Sequence, residues 1–184
     1  MIGILPKSLD VGGRQYGINS DFRIILNLFE VLQLNELTDL EKAYITVNVI
    51  YTNEIPDKDF EEAVKKAYWF CDGGDMPKSE PAKVKTLDWK HDESIIFPAV
   101  NKAAGCEVRA VPYMHWWTFL GYLGEIDEGL FSTVMNIRQK RAEGKKLDKW
   151  ERDFLRKHKK MIILYTDEER QAIEETEAFL RTIT

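Results

Sequence analysis

Pro112-Tyr113-Met114-His115-Trp116-Trp117-Thr118-Phe119-Leu120-Gly121-Tyr122-Leu123 sets two of the chain's five tryptophans side by side, with few charges nearby. The stretch reads as a helix with Pro112 near its first turn, where a missing N–H costs nothing. On that helix Tyr113, Trp116, Trp117, Leu120, Leu123 and Gly124 share one wide face, while Met114, Phe119 and Tyr122 cover other directions. A helix that is apolar on most sides is buried in a core, or half buried and half an interface. Tryptophan serves both settings, so side-chain chemistry does not choose between them.

The segments around this helix are also mostly helical. Near the N-terminus, Ser8–Val11 and Arg14–Ile18 flank Gly12-Gly13, the pattern of a tight hairpin. Asn19 or Ser20 is placed to cap a helix starting near Asp21, with Phe22, Ile25, Leu26, Phe29 and Leu32 as its apolar stripe. Thr38 and Glu41 have capping-box spacing, ahead of a helix with Leu40, Tyr44, Val47 and Tyr51 on one side. A third helix begins at Pro56-Asp57, presents Phe60, Ala63, Val64, Ala67 and Cys71, and stops at Gly73-Gly74. Polar residues and two prolines between 75 and 90 predict a long loop, with Leu87-Asp88-Trp89 as a docking point inside it. A fourth helix spans Asp92 to Ala104 and contains Pro98, which predicts a kink or a later start.

Leu130 to about Ala142 forms the helix after the aromatic one. Asp148 caps a basic helix in which Trp150 and Phe154 have the spacing of a core-facing stripe. Met161–Leu164 is a short apolar run, and the residues from Asp167 onward are acidic and helix-prone. The expected fold is therefore mainly α: about six to seven helices and a small N-terminal hairpin. The expected organisation is a single helical domain over 1–165, with the hairpin in 1–19 and a polar loop near 73–90. An acidic helical tail, 166–184, follows.

At 184 residues the chain can bury a sizeable core without staples. With no secretory signal at the N-terminus, Cys71 and Cys106 read as reduced thiols, and the expected location is the bacterial cytoplasm. No apolar run reaches the ~20 residues needed to span a bilayer.

Reaction chemistry finds little support. His91, His115, His158, Cys71 and Cys106 show no metal-ligand spacing. Cys106 and His115 could form a thiol–imidazole pair, but no orienting third group is indicated. Gly12-Gly13 and Gly73-Gly74 lack a phosphate-binding fingerprint. The expectation is a non-enzymatic protein with no cofactor and no metal.

Charge is uneven. Residues 138–160 carry eleven Lys or Arg against four Asp or Glu, while the whole chain has a net charge of -5. Lys145, Lys146, Lys149, Arg152 and Arg156 are the candidate basic surface for a nucleic-acid backbone. The plainer reading is a solvated helix pair partly neutralised by the tail acids Asp167, Glu168, Glu169, Glu174, Glu175 and Glu177.

His115-Trp116-Trp117-x-Phe119, followed by Leu120, Gly124 and Ile137-Arg138, resembles a motif of the phage gene-product-fifteen family of tailed-phage and prophage proteins. The Leu5-Pro6 lead, the small hairpin and Asp21-Phe22-Arg23 are similar to that family's opening. The resemblance covers most of residues 1–165. Ala104–Val108 departs from it, standing where family members often place an Asp-containing amphipathic helix and a Tyr-Gly-Ile-Asp-like turn. The resemblance implies a protein of the tail module, with no catalytic residue to carry over. It implies a tail assembly chaperone that binds the tape measure protein and tail tube (major tail) subunits, with self-association left open. His115, Trp116, Trp117, Phe119, Leu120 and Arg138 are then core or partner-interface residues. The competing readings are a phage nucleic-acid-binding or regulatory protein using 138–160, and a minor structural component of the finished tail.

Overall fold

The computed structural model describes residues 3–75, 85–165 and 169. Two strands, β1 (Ser8–Val11) and β2 (Arg14–Gly17), pair antiparallel with Leu9 opposite Tyr16. Gly12 and Gly13, at φ +58° and +76°, supply the left-handed turn between them. Leu9, Val11 and Tyr16 point inward, and the Gly12 N–H donates to Glu62 Oε2, so the hairpin rests on the third helix. Among the described residues eight helices follow: α1 (Phe22–Leu32), α2 (Asp39–Ile50), α3 (Phe60–Cys71), α4 (Glu93–Ala104), α5 (Trp116–Gly124), α6 (Leu130–Ala142), α7 (Lys149–Lys157) and α8 (Lys159–Ile162). Short 3-10 turns at Asp57–Asp59 and Val108–Ala110 precede α3 and α5. The mainly α architecture with a small hairpin is as expected; the helix count is higher by the one-turn α8.

Local capping sets several boundaries. Thr38 and Glu41 form the reciprocal capping box of α2, and Asp148 and Glu151 form that of α7. The C-terminus of α3 closes in a Schellman arrangement: Gly74 N–H donates to Trp69 O and Gly73 N–H to Phe70 O, with Gly73 at φ +76°. Pro98 lies on the exposed side of α4, which continues through it and ends at left-handed Gly105. The helix does not start later, as one of the two expectations had it.

Other boundaries are set by distant parts of the chain, and here the sequence expectations need correction. The cap of α1 is Asp21, whose carboxylate accepts from Arg23 N–H; it is neither Asn19 nor Ser20. Asn19 instead donates its backbone N–H to Ile50 O and its side-chain amide to Val49 O, closing the last turn of α2. The Ser20 hydroxyl is hydrogen-bonded to the Tyr113 hydroxyl. Pro112 is not in the first turn of α5. That helix starts at Trp116, because residues 113–115 run extended against the start of α1.

The stripe of α2 is also revised. Val47 and Tyr51 are buried, as are Thr46 and Ile50, but Leu40 and Tyr44 are exposed. Trp150 is 59% exposed and does not join the core.

The core is centred on aromatic rings. Phe22 and Phe119 stack at 4.6 Å, Phe97 packs against both, and Trp116 lies 5.8 Å from Phe119. Trp89 reaches in from the polar loop to meet Phe29 and Trp116, so Leu87-Asp88-Trp89 does dock as the sequence suggested. Residues 76–84 of that loop, and the acidic tail apart from Glu169, lie outside the described residues.

Candidate functional site

The motif residues sit where three helices meet. The start of α5 and the start of α1 cross-pair: Phe22 N–H donates to Met114 O at 3.0 Å, and Trp116 N–H donates to Ser20 O at 2.7 Å. Each helix thus has a first-turn donor, which no intrahelical carbonyl can reach, satisfied by the other. Asp21 also accepts from Met114 N–H, while Arg23 Nη1 donates to both oxygens of its carboxylate, at 2.9 and 3.0 Å. Arg23 continues to the carbonyls of Val108, Arg109 and Val111, tying down the turn before α5.

His115 is the N-cap of α5. Its Nδ1 accepts from Trp117 N–H at 3.0 Å, and its Nε2 lies 2.9 Å from Pro6 O. An amide N–H can only donate and a carbonyl can only accept, so the ring is the neutral Nε2–H tautomer. Burial pulls its pKa below the ordinary 6.5, opposed by the bond to Pro6 and reinforced by Lys7 nearby. This ring is not free for acid–base or metal chemistry.

The adjacent tryptophans finish α3. Trp116 Nε1–H donates to Cys71 O and Trp117 Nε1–H to Phe70 O, both at 2.8 Å. Together with the Schellman bonds and Asp72 N–H to Tyr68 O, these partner the last four carbonyls of α3. A Cβ on Gly74 would come within 2.9 Å of the Trp117 ring, so Gly73-Gly74 is both a helix stop and the space for that indole.

Trp116 is 1% exposed and Phe119 fully buried, whereas Trp117 and Leu120 are half-buried. The deepest face of α5 is therefore Trp116–Phe119, and Tyr113, expected on that face, is exposed.

Arg138, the distal member of the motif, belongs to a second buried cluster. Its guanidinium meets the Asp92 carboxylate at 2.5 and 2.7 Å, with side-chain exposures of 4% and 0%. Nε donates to Ile162 O, Nη1 to Thr86 O and Nη2 to Met161 O. All five donors of the guanidinium are thereby satisfied. Asp92 also accepts from Asp88 N–H. One side chain on α6 joins α4, the end of the polar loop and α8, and the nearby His91 ring adds a bond to Met161 O. The spacing of His91, Asp92 and Glu93 carries no hint of this pairing, since the partner lies 46 positions away.

The basic stretch divides. Arg138 is buried, Lys140 pairs with the largely buried Glu151, and Lys145 and Arg156 pair with Glu143 and Asp153. Lys145, Lys146, Lys149, Arg152 and Arg156 all lie on the surface, and Arg152 donates to Leu147 O.

Cys71 is buried and its thiol is pushed up to about 12, first by burial and then by Asp72; Cys106 is exposed. Among the described residues no three His, Cys, Asp or Glu gather to hold a metal ion, and no helix is long and apolar enough to cross a membrane.

A groove of about 1220 Å³ runs beside the motif. Trp69 and Trp117 line it together with Ile4, Leu5, Pro6 and Leu9, and Lys7, Lys65, Lys66, Asp10 and Glu62 contribute its polar groups. Ile4 is 62% exposed and Leu5 is exposed as well. The sequence reading missed this groove. Its walls come from the N-terminal segment, α3 and Trp117 of α5, which the hairpin's docking on α3 and the His115 bond to Pro6 O bring together.

The chain matches the family described as Bacteriophage Gp15 protein over residues 1–164. No curated protein and no solved structure matches it.

Proposed function

From the premise that the chain belongs to the Bacteriophage Gp15 protein family, a phage tail-assembly-chaperone-like and non-enzymatic family, we propose that it chaperones the tape measure protein during tail assembly. Tail tube subunits are the second client in this reading. The family match across residues 1–164 is the observation that carries it.

The groove beside Trp117 supports the reading. A helix is about 10 Å across with its side chains, so 1220 Å³ holds roughly two to three turns. Its mixture of apolar walls and charged rim suits one amphipathic helix laid in by its apolar face. The motif tryptophans then act from below: Trp116 and Trp117 fix the end of α3, and α3 with the N-terminal segment forms the docking surface. A chaperone must release its client, which favours a contact of this modest size over an extensive permanent interface.

Co-expression with the tape measure protein of the same phage tests the proposal. The tape measure protein is expected to move into the soluble fraction and to co-purify with this chain; unchanged solubility with no recoverable complex contradicts it. Mass spectrometry of purified virions separates a chaperone from a minor tail component, since the chaperone is expected to be absent.

A further inference from the structure

We infer that the exposed face of α7 is the docking site for this chain's own C-terminal segment, residues 166–184. The inference is independent of the family reading. Along α7 and its C-cap, Trp150, Phe154 and His158 follow one another at i, i+4 spacing: Trp150 stacks on the half-buried Phe154 at 5.2 Å, and the exposed His158 lies tilted at 4.4 Å from it. Trp150 is 59% exposed at one end of this aromatic row. Lys146, Lys149 and Lys157 lie on the same short stretch and form no ion pair among the described residues. A row of ring contacts flanked by cations asks for a segment that is apolar on one side and acidic on the other.

Residues 166–184 have that chemistry. They carry Asp167, Glu168, Glu169, Glu174, Glu175 and Glu177 against only Arg170 and Arg181. Ala172, Ile173, Thr176, Phe179, Leu180 and Ile183 recur at three- and four-residue spacing, the pattern of one helical face. The acids at 174, 175 and 177 fall between those positions. The tether also suits an intramolecular contact. α8 packs on α7 and ends at Ile162, and only residues 163–165 separate it from the segment. Such a short link gives the segment a high effective concentration at α7, which a separate partner would have to exceed.

The test uses the full-length chain with a nitroxide at Ala178→Cys in a Cys106→Ser background; Cys71 is buried and stays unlabelled. The readout is the indole N–H resonance of Trp150, assigned by its disappearance in Trp150→Phe. At low salt the nitroxide is expected to weaken this signal several-fold, and Lys146→Glu/Lys149→Glu/Lys157→Glu is expected to restore it. These three lysines are exposed, and retained chemical-shift dispersion confirms that the variant is folded. Full intensity in the labelled parent chain overturns the inference. So does weakening that survives charge reversal. Weakening that appears only on mixing labelled with isotope-enriched chains also overturns it, because the occupant is then a second copy.

Discussion

Trp116 and Trp150 both stand in the first turn of a helix, yet one is 1% exposed and the other 59%. Their immediate surroundings do not explain the difference, since each is preceded by a side-chain cap: His115 for α5 and Asp148 for α7. What differs is the remainder of the molecule. The start of α5 is paired with the start of α1, and its indole closes the end of α3. The backbone at the start of α7 is capped by its own residues, Asp148 and Glu151, and the tie to another element is the side-chain pair of Glu151 with Lys140 on α6. A helix whose terminus is completed from elsewhere is drawn into the core. A helix that completes its own terminus is free to remain at the surface.

The largest effect that should follow from this contrast is at Trp116. Trp116→Ala removes a buried ring and leaves Cys71 O without its donor, so it is expected to destabilise the fold by about 3–5 kcal/mol. Urea unfolding followed by circular dichroism measures this. A loss below about 1 kcal/mol would break the claim that this residue holds α3 and α5 together.

Arg138→Ala is expected to cost a similar 3–5 kcal/mol, because it takes the charge partner from the buried Asp92 carboxylate and the side-chain donor from the buried Ile162 O. The double change Asp92→Leu/Arg138→Met should cost less than Arg138→Ala alone, since an apolar pair strands no charge. A double variant as unstable as the sum of its singles would show that the pair is not coupled.

A smaller effect is expected at His115, and it depends on pH. The folded ring has a pKa below the ordinary 6.5, so between the two values the unfolded chain binds a proton that the folded chain does not. The stability contributed by neutral His115 is complete above pH 6.5 and declines as the pH falls through the folded value. His115→Asn keeps a cap acceptor and removes the titration. Its denaturation midpoint should vary less with pH than the parent's between roughly pH 5 and 7; identical profiles would contradict a titrating role for His115.

Trp150→Ala should produce the least change, within about 0.5 kcal/mol in a chain truncated after Tyr165. A loss of several kcal/mol there would mean that α7 depends on its tryptophan as α5 does.

The same contrast explains how much could be read from the sequence. The capping box of Thr38 with Glu41 and the cap at Asp148 were legible because their atoms lie within one turn. The Gly12-Gly13 turn and the Gly73-Gly74 stop were legible because positive φ is a local demand. The start of α5 was not. Met114 and Trp116 take their partners from residues 20–22, some ninety positions away. Trp150 misled for the complementary reason: helical spacing shows that a face exists but not what covers it.

The candidate site follows the same division. The motif His115-Trp116-Trp117 stood out in composition, but its work at the end of α3 became visible only once α3 and α5 were side by side. The groove could not be read at all, because its walls are joined through tertiary contacts of the N-terminal segment with α3 and with the start of α5.

The most direct test compares client binding at the groove with client binding at the basic face. The tape measure protein is co-expressed with the parent chain, with Ile4→Asp/Leu5→Asp, or with Lys145→Glu/Lys146→Glu/Lys149→Glu, and the recovered complex is quantified. All the substituted residues are exposed, so each variant is expected to fold. The account predicts that the groove variant loses the complex at least tenfold while the basic-face variant retains it. Full recovery with the groove variant, and loss with the basic-face variant, would contradict it.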